Sequence, residues 1–167
     1  MITDNSLIAF EAIHYLKKPR LGRNGYVGIK LDIAKAYDSL EWVFIEQTLT
    51  IMGFPTKIVS LIMRCIRSVT FSIMLNGQPS NVFYPQRGIR QGVPLSPYIF
   101  ILSVEVLSRL INEQRVLGNL HGVSIATNTS CITHHLYADD NLLFCKARPE
   151  EALVIKNILK ENRMFTE

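Results

Sequence analysis

Cysteine is scarce in this chain: Cys65, Cys131 and Cys145 are the only three in 167 residues. Their odd count, unpaired spacing and apolar neighbours exclude a disulfide framework or a zinc knuckle and read as small buried side chains in a reducing compartment. Long hydrophobic runs are also lacking. The longest, Tyr98 to Leu107, is broken by Ser103 and Glu105 and is too short to span a bilayer. Met1 to Asp4 has no basic stretch followed by an apolar one, so no secretory signal is expected. These absences point to a soluble intracellular chain with no membrane partner. Charged residues make up 19% of the chain, too few in so apolar a sequence for disorder, and the formal net charge of +4 mildly favours an anionic partner. Histidine offers little. His134 and His135 would point to opposite faces of a strand and cannot grip one ion together, and no Ser-His-Asp or Cys-His arrangement is visible.

What is abundant is apolar surface, 48% of residues, enough for one core and for the expectation of a single domain over residues 1–167. The spacing predicts a helix from a Thr3 or Asp4 cap to about Lys18, with Leu7, Ile8, Glu11, Ala12, Tyr15 and Leu16 on one stripe. From Tyr26 to Ile33 the alternation puts Val27, Ile29, Leu31 and Ile33 on a core face and Tyr26, Gly28, Lys30 and Asp32 on the other. Helices over about 41–52 and 55–68 follow, parted at Gly53. Asn76-Gly77, between Val69–Leu75 and Ser80–Tyr84, is the strongest hairpin signal in the chain. Ser96 is expected to cap a helix whose start, Tyr98 to Leu102, is apolar all round and therefore deeply buried. A strand near Gly122 to Ile125 and a last helix over 150–165, with Leu153, Ile155, Ile158 and Leu159 inward, complete the chain. The fold class expected is α+β. A small antiparallel sheet packs on helices 41–68, 96–112 and 150–165, with the Asn76-Gly77 hairpin as a side ribbon.

The chemistry concentrates in carboxylates. Tyr137-Ala138-Asp139-Asp140 stands between the apolar runs Ile132–Leu136 and Leu142–Cys145, which places two acids on the tip of a hairpin. Adjacent acids repel unless a cation holds them. Asp32 ends the early strand, and acids on neighbouring strands, about 4.8 Å apart, can reach a common Mg²⁺ at about 2.1 Å per Mg–O bond. Two such ions about 4 Å apart stabilise the attacking and leaving oxygens of an in-line displacement. Asp38 lies beyond the strand and reads as structural, a cap paired with Glu41.

Three segments in order carry a resemblance. Leu31-Asp32-Ile33-Ala34-Lys35-Ala36-Tyr37-Asp38-Ser39-Leu40 looks like motif A of the reverse transcriptases. Arg87-Gly88-Ile89-Arg90-Gln91-Gly92-Val93-Pro94-Leu95-Ser96-Pro97 looks like motif B, and Tyr137-Ala138-Asp139-Asp140 like motif C. The flanks resemble the non-LTR, LINE-type retrotransposons of plants. The resemblance implies a polymerase palm in which Asp32, Asp139 and Asp140 bind two Mg²⁺ ions, with Mn²⁺ as a substitute, and an RNA-directed DNA polymerase using an RNA template, a DNA primer and dNTP. It also implies that Tyr37 excludes a 2′-hydroxyl, that Gln91 and Gly92 line the nascent base pair, and that Arg87 and Arg90 meet template phosphates.

Family polymerases extend further on both sides. The chain is therefore expected to be a palm fragment lacking the start of the fingers, the end of motif D and the thumb, with very weak activity or none in isolation. Two other classes stay open from the residues: an inactive retroelement remnant serving as a nucleic-acid-binding or scaffold module, and another palm-like two-metal enzyme such as a nucleotide cyclase.

Overall fold

The computed structural model describes residues 2–17, 25–33, 35–124, 131–137 and 140–162. Along the chain run α1 (Ile2–Lys17), β1 (Tyr26–Asp32), α2 (Ala36–Ser39), α3 (Trp42–Ile51), α4 (Thr56–Arg67), β2 (Met74–Leu75) and β3 (Gln78–Pro79). After these come α5 (Ser96–Val116), β4 (His134–Tyr137), β5 (Asp140–Lys146) and α6 (Pro149–Glu161). Two compact units form, one from residues 1–34 with 104–165, the other from residues 35–103.

The first unit is built on a three-stranded antiparallel sheet in the order β1-β5-β4. All seven residues of β5 pair with β1, from Tyr26 opposite Lys146 to Asp32 opposite Asp140. The other edge pairs with β4, from His134 opposite Leu143 to Tyr137 opposite Asp140. Side chains alternate across this central strand, so it serves two cores. Leu143 and Cys145, with Ile29, Leu31 and Leu136, pack on Leu107 and Ile111 of α5 and on Ile155 and Ile158 of α6. Phe144, with Leu142 and Tyr26, packs on Ala12, Tyr15 and Leu16 of α1 and on Val123 and Ile132. The second of these faces was expected to lie away from the core. Gly28 explains the difference: a Cβ there would stand 3.0 Å from Leu16 Cδ1, so its absence lets α1 settle on the strand.

Local polar contacts tie the edges of this unit. The Glu151 carboxylate is only 3% exposed. It accepts from the backbone N–H groups of His121 and Lys146 and pairs with His121 Nδ1, each at 3.0 Å. One buried acid thus joins the segment after α5, the end of β5 and the first turn of α6. Val123 and Ile132 exchange backbone hydrogen bonds of 2.8 Å as an isolated bridge, while residue 125 of the strand expected near 122–125 lies outside the described residues. Gly122 is obligatory there, because a Cβ would overlap the Ile132 carbonyl and the Thr133 nitrogen. His134 shares hydrogen bonds with Ser108 Oγ at 2.9 Å and Thr133 Oγ1 at 3.0 Å.

In the second unit α3 and α4 pack together, burying Phe44, Ile45 and Leu49 on one and Val59, Met63 and Ile66 on the other. Asn76 (φ 49°) and Gly77 (φ 81°) both adopt the left-handed region, the pair that a type I′ hairpin turn demands. Its strands are shorter than expected. Pro79 has no N–H to donate, and the Ile73 N–H is taken by Ser80 Oγ at 2.9 Å rather than by a ladder carbonyl.

Several sequence expectations are corrected. α1 starts at Ile2, ahead of the Thr3 or Asp4 cap, and Leu7 is exposed. Leu153 points outward on α6, since Glu151, Ile155 and Ile158 carry its buried stripe. At the start of α5, Ile99 and Phe100 are buried but Tyr98 and Ile101 are exposed. Ser96 is the first helical residue rather than the cap: the Leu95 carbonyl accepts from Ile99 N, and Ser96 Oγ donates to Arg90 O at 2.6 Å. Of the three free cysteines only Cys145 is buried, Cys131 is half-buried and Cys65 is exposed.

Candidate active site

Asp32 is the last residue of β1 and is exposed. Its Cα partner across the ladder is Asp140. Asp140 is not on the hairpin tip, as the sequence reading had it, but opens β5, flanked by Asp32 on one side and Tyr137 on the other. Directly opposed positions on an antiparallel pair lie about 4.5–5.5 Å apart. Positions 32 and 140 are therefore brought together by seven residues of continuous pairing. Asp139 and Ala138 lie outside the described residues. Among the described residues no group of three or more His, Cys, Asp or Glu forms a metal cage. The two carboxylate residues present suit a hard divalent cation in kind and in register, and the third expected ligand falls on a residue not described.

The next residue of β5 was missed by sequence reasoning. Asn141 is fully buried, and neither its Nδ2 nor its Oδ1 has a hydrogen-bond partner among the described residues. Its register neighbours are Leu31 and Leu136. An unsatisfied buried amide costs about 1–3 kcal/mol, so the strand carrying the acidic residue holds a stability penalty in its core side. The residue type gave no signal, since an Asn after two Asp reads as part of a polar turn.

The motif A tail and the motif B loop are stitched together within the second unit. Gly88 N donates to Leu40 O at 2.7 Å and Ile89 N to Tyr37 O at 2.8 Å. Trp42 Nε1 donates to Gly88 O at 2.8 Å. Gly88 has φ 88°, and a Cβ would lie 3.0 Å from Asp38 O and 3.3 Å from Tyr37 O, so only glycine allows this approach. Trp42 was not singled out from sequence; being the chain's only tryptophan was the one available signal. Tyr37 is half-buried and stacks on Phe100, ring centroids 5.1 Å apart at 11°. Its ring is therefore held in one orientation. Gln91, Gly92, Arg87 and Arg90 are all exposed. Gly92 has φ 81° with nothing within 4 Å of a would-be Cβ, so its glycine serves backbone conformation rather than close packing. Asp38 is exposed, and Glu41 precedes α3 without a side-chain cap hydrogen bond, so the expected Asp38–Glu41 cap is not formed.

A small antiparallel sheet in the order β1-β5-β4, with helices packed on both of its faces, is the architecture of a polymerase palm. The family model described as "Reverse transcriptase (RNA-dependent DNA polymerase)" matches residues 2–165, and the chain belongs to that family. It is 34% identical over 131 residues to a Pol polyprotein of the type-1 retrotransposable element R2 of Popillia japonica, covering 78% of this chain and 20% of that protein. It is 48% identical over 67 residues to an uncharacterized mitochondrial protein of Arabidopsis thaliana, covering 40% of this chain and 55% of the relative. The chain thus spans about a fifth to about half of these relatives. The structure of apo telomerase from Candida tropicalis, truncated from its C-terminal domain, superposes with TM-score 0.64 at 15% identity. The match covers 99% of this chain and 33% of that one, and the shared feature is the polymerase palm fold. Among the described residues no helix is long and apolar enough to cross a membrane.

Proposed function

We propose that the chain is the catalytic palm of an RNA-directed DNA polymerase of a LINE-type non-LTR retroelement, extending a DNA primer on an RNA template with dNTP. The observation that supports this most is the pairing of Asp32 with Asp140. Acids at directly opposed positions of an antiparallel pair are unfavourable unless a cation offsets them, which is why this register supports a metal site.

Asp32, Asp139 and Asp140 would hold two Mg²⁺ ions. Bound divalent ions supply charge stabilisation to the attacking and leaving oxygens and lower the pKa of the primer hydroxyl. The chain's own residues do the positioning. Tyr37, fixed against Phe100, sets a wall that admits a deoxyribose and rejects a 2′-hydroxyl. Gly92 turns the backbone so that the exposed Gln91 amide can meet the base pair. Arg87 and Arg90 meet template phosphates, which fixes register without reading sequence. Telomerase from Candida tropicalis has been solved in complex with a fragment of telomeric RNA.

The test is templated incorporation. In single-turnover primer extension on an RNA template with Mg²⁺, the chain is expected to add dNTP slowly. Asp32→Asn should abolish addition, and Tyr37→Ala should raise rNTP use relative to dNTP at least ten-fold. Addition that survives Asp32→Asn, or turnover of a lone nucleoside triphosphate without template, would reject the reading.

A further inference from the structure

A cavity of about 440 Å³ opens in the second unit, between α4, the approach to the β2–β3 hairpin, and the loop from Pro85 to Ser96. It lies near the low end of small-ligand pockets, about 300–1,000 Å³, room for one planar ring system with its sugar. Ile66, Val69, Phe71, Val93 and Ile99 make apolar walls, while Asp38, Arg87, Arg90 and Gln91 supply the polar groups. Among the described residues neither guanidinium has a hydrogen-bonded or ion-paired partner. Phe71, 43% exposed, stacks on Phe83 with centroids 5.9 Å apart and presents an aromatic face. From Ser68 to Gln86 the chain carries no charged residue, so the charge at this cavity is concentrated on the two arginines and Asp38.

We infer that this cavity seats one unpaired nucleobase of a single strand, with the adjoining phosphates held by Arg87 and Arg90. The division of chemistry argues for this occupant. Apolar and aromatic walls accept the two π faces of a base, which a single strand can splay out and a duplex cannot. The Asp38 carboxylate offers acceptors for an N–H group on a base edge. The two free cations exceed the one acid and match the phosphates on either side. An apolar peptide would leave both guanidinium groups without a partner. This seat presupposes the nucleic-acid reading proposed above but needs no metal.

Cys65 lines the same cavity and is exposed, which supplies a direct readout. The full 167-residue chain, carrying Cys131→Ser so that Cys65 is the one accessible thiol, is alkylated with iodoacetamide in EDTA. A dT12 oligonucleotide is added to saturation, as followed by anisotropy. We expect Cys65 alkylation to slow at least five-fold with dT12 or a single-stranded RNA dodecamer. Little slowing is expected with the same length as a blunt duplex or as a dodecamer of abasic sites, which keeps the phosphates. Arg87→Ala with Arg90→Ala should remove both binding and protection. Because abasic and normal strands differ only in the ligand, the answer does not depend on how the variants fold. Equal protection by the abasic strand or the duplex, no protection at saturation, no binding, or protection by an apolar peptide instead would each overturn the inference. Since no metal is present, none of these outcomes bears on the acid pair.

Discussion

The two antiparallel pairings of this molecule are held in opposite ways. β5 pairs along its whole length with β1, and both faces of that ladder are covered by packed side chains. The β2–β3 hairpin has two register pairs, and Ile73, Met74, Leu75, Val82 and Tyr84 around it are all more than half exposed. The first is fixed by burial, at about 25 cal/mol per Å² of apolar area removed from water. The second is fixed by a turn in which Asn76 and Gly77 supply the backbone conformation. Rigidity has been placed where two acids must stay in register, and apolar exposure where a strand of nucleic acid is proposed to lie.

Two glycines break this comparison most sharply. In Gly122→Ala the new Cβ would overlap the Ile132 carbonyl and must displace backbone in the sheet unit. A loss on the order of 3–4 kcal/mol in urea denaturation is expected. Gly77→Ala meets nothing within 4 Å and pays only for its φ of 81°, about 1–2 kcal/mol. Near-equal losses would show that the two pairings are held alike.

A smaller effect comes from Glu151→Gln. Removing the charge weakens three hydrogen bonds to His121 and Lys146 and should destabilise the sheet unit by about 2 kcal/mol, with no change in the hairpin's amide exchange. Hydrogen exchange resolved by segment checks it.

The smallest is a pH effect at His134. Burial holds its pKa below the ordinary 6.5, with Arg115 and His135 adding to the lowering and Glu105 opposing it. The unfolded chain therefore takes up the proton first, so the stability contributed here is present above about pH 6.5 and falls as pH drops below it. His134→Gln should flatten that part of the stability profile. An unchanged slope would place the titration elsewhere.

Much of this was legible in the sequence because local patterns and tertiary structure agree. Alternation from Tyr26 to Ile33 marked β1, Asn76-Gly77 marked the turn, and the order of Asp32, Gln91-Gly92 and Asp139-Asp140 marked the family. What was not legible depends on contacts between distant segments. No local pattern shows that Gly28 makes room for α1, that a Cβ on Gly88 would lie 3.0 Å from Asp38 O, or that Trp42 donates to Gly88. Asn141 was missed for the same reason: only the full pairing of β5 carries it into the core.

Titration of Mn²⁺ into the chain, followed by water proton relaxation, addresses the acid pair most directly. Binding is predicted in the parent chain and a loss of at least ten-fold in affinity in both Asp32→Asn and Asp140→Asn, each still folded by circular dichroism. Affinity unchanged in either variant would contradict the account, because the register that opposes these residues would then serve no cation.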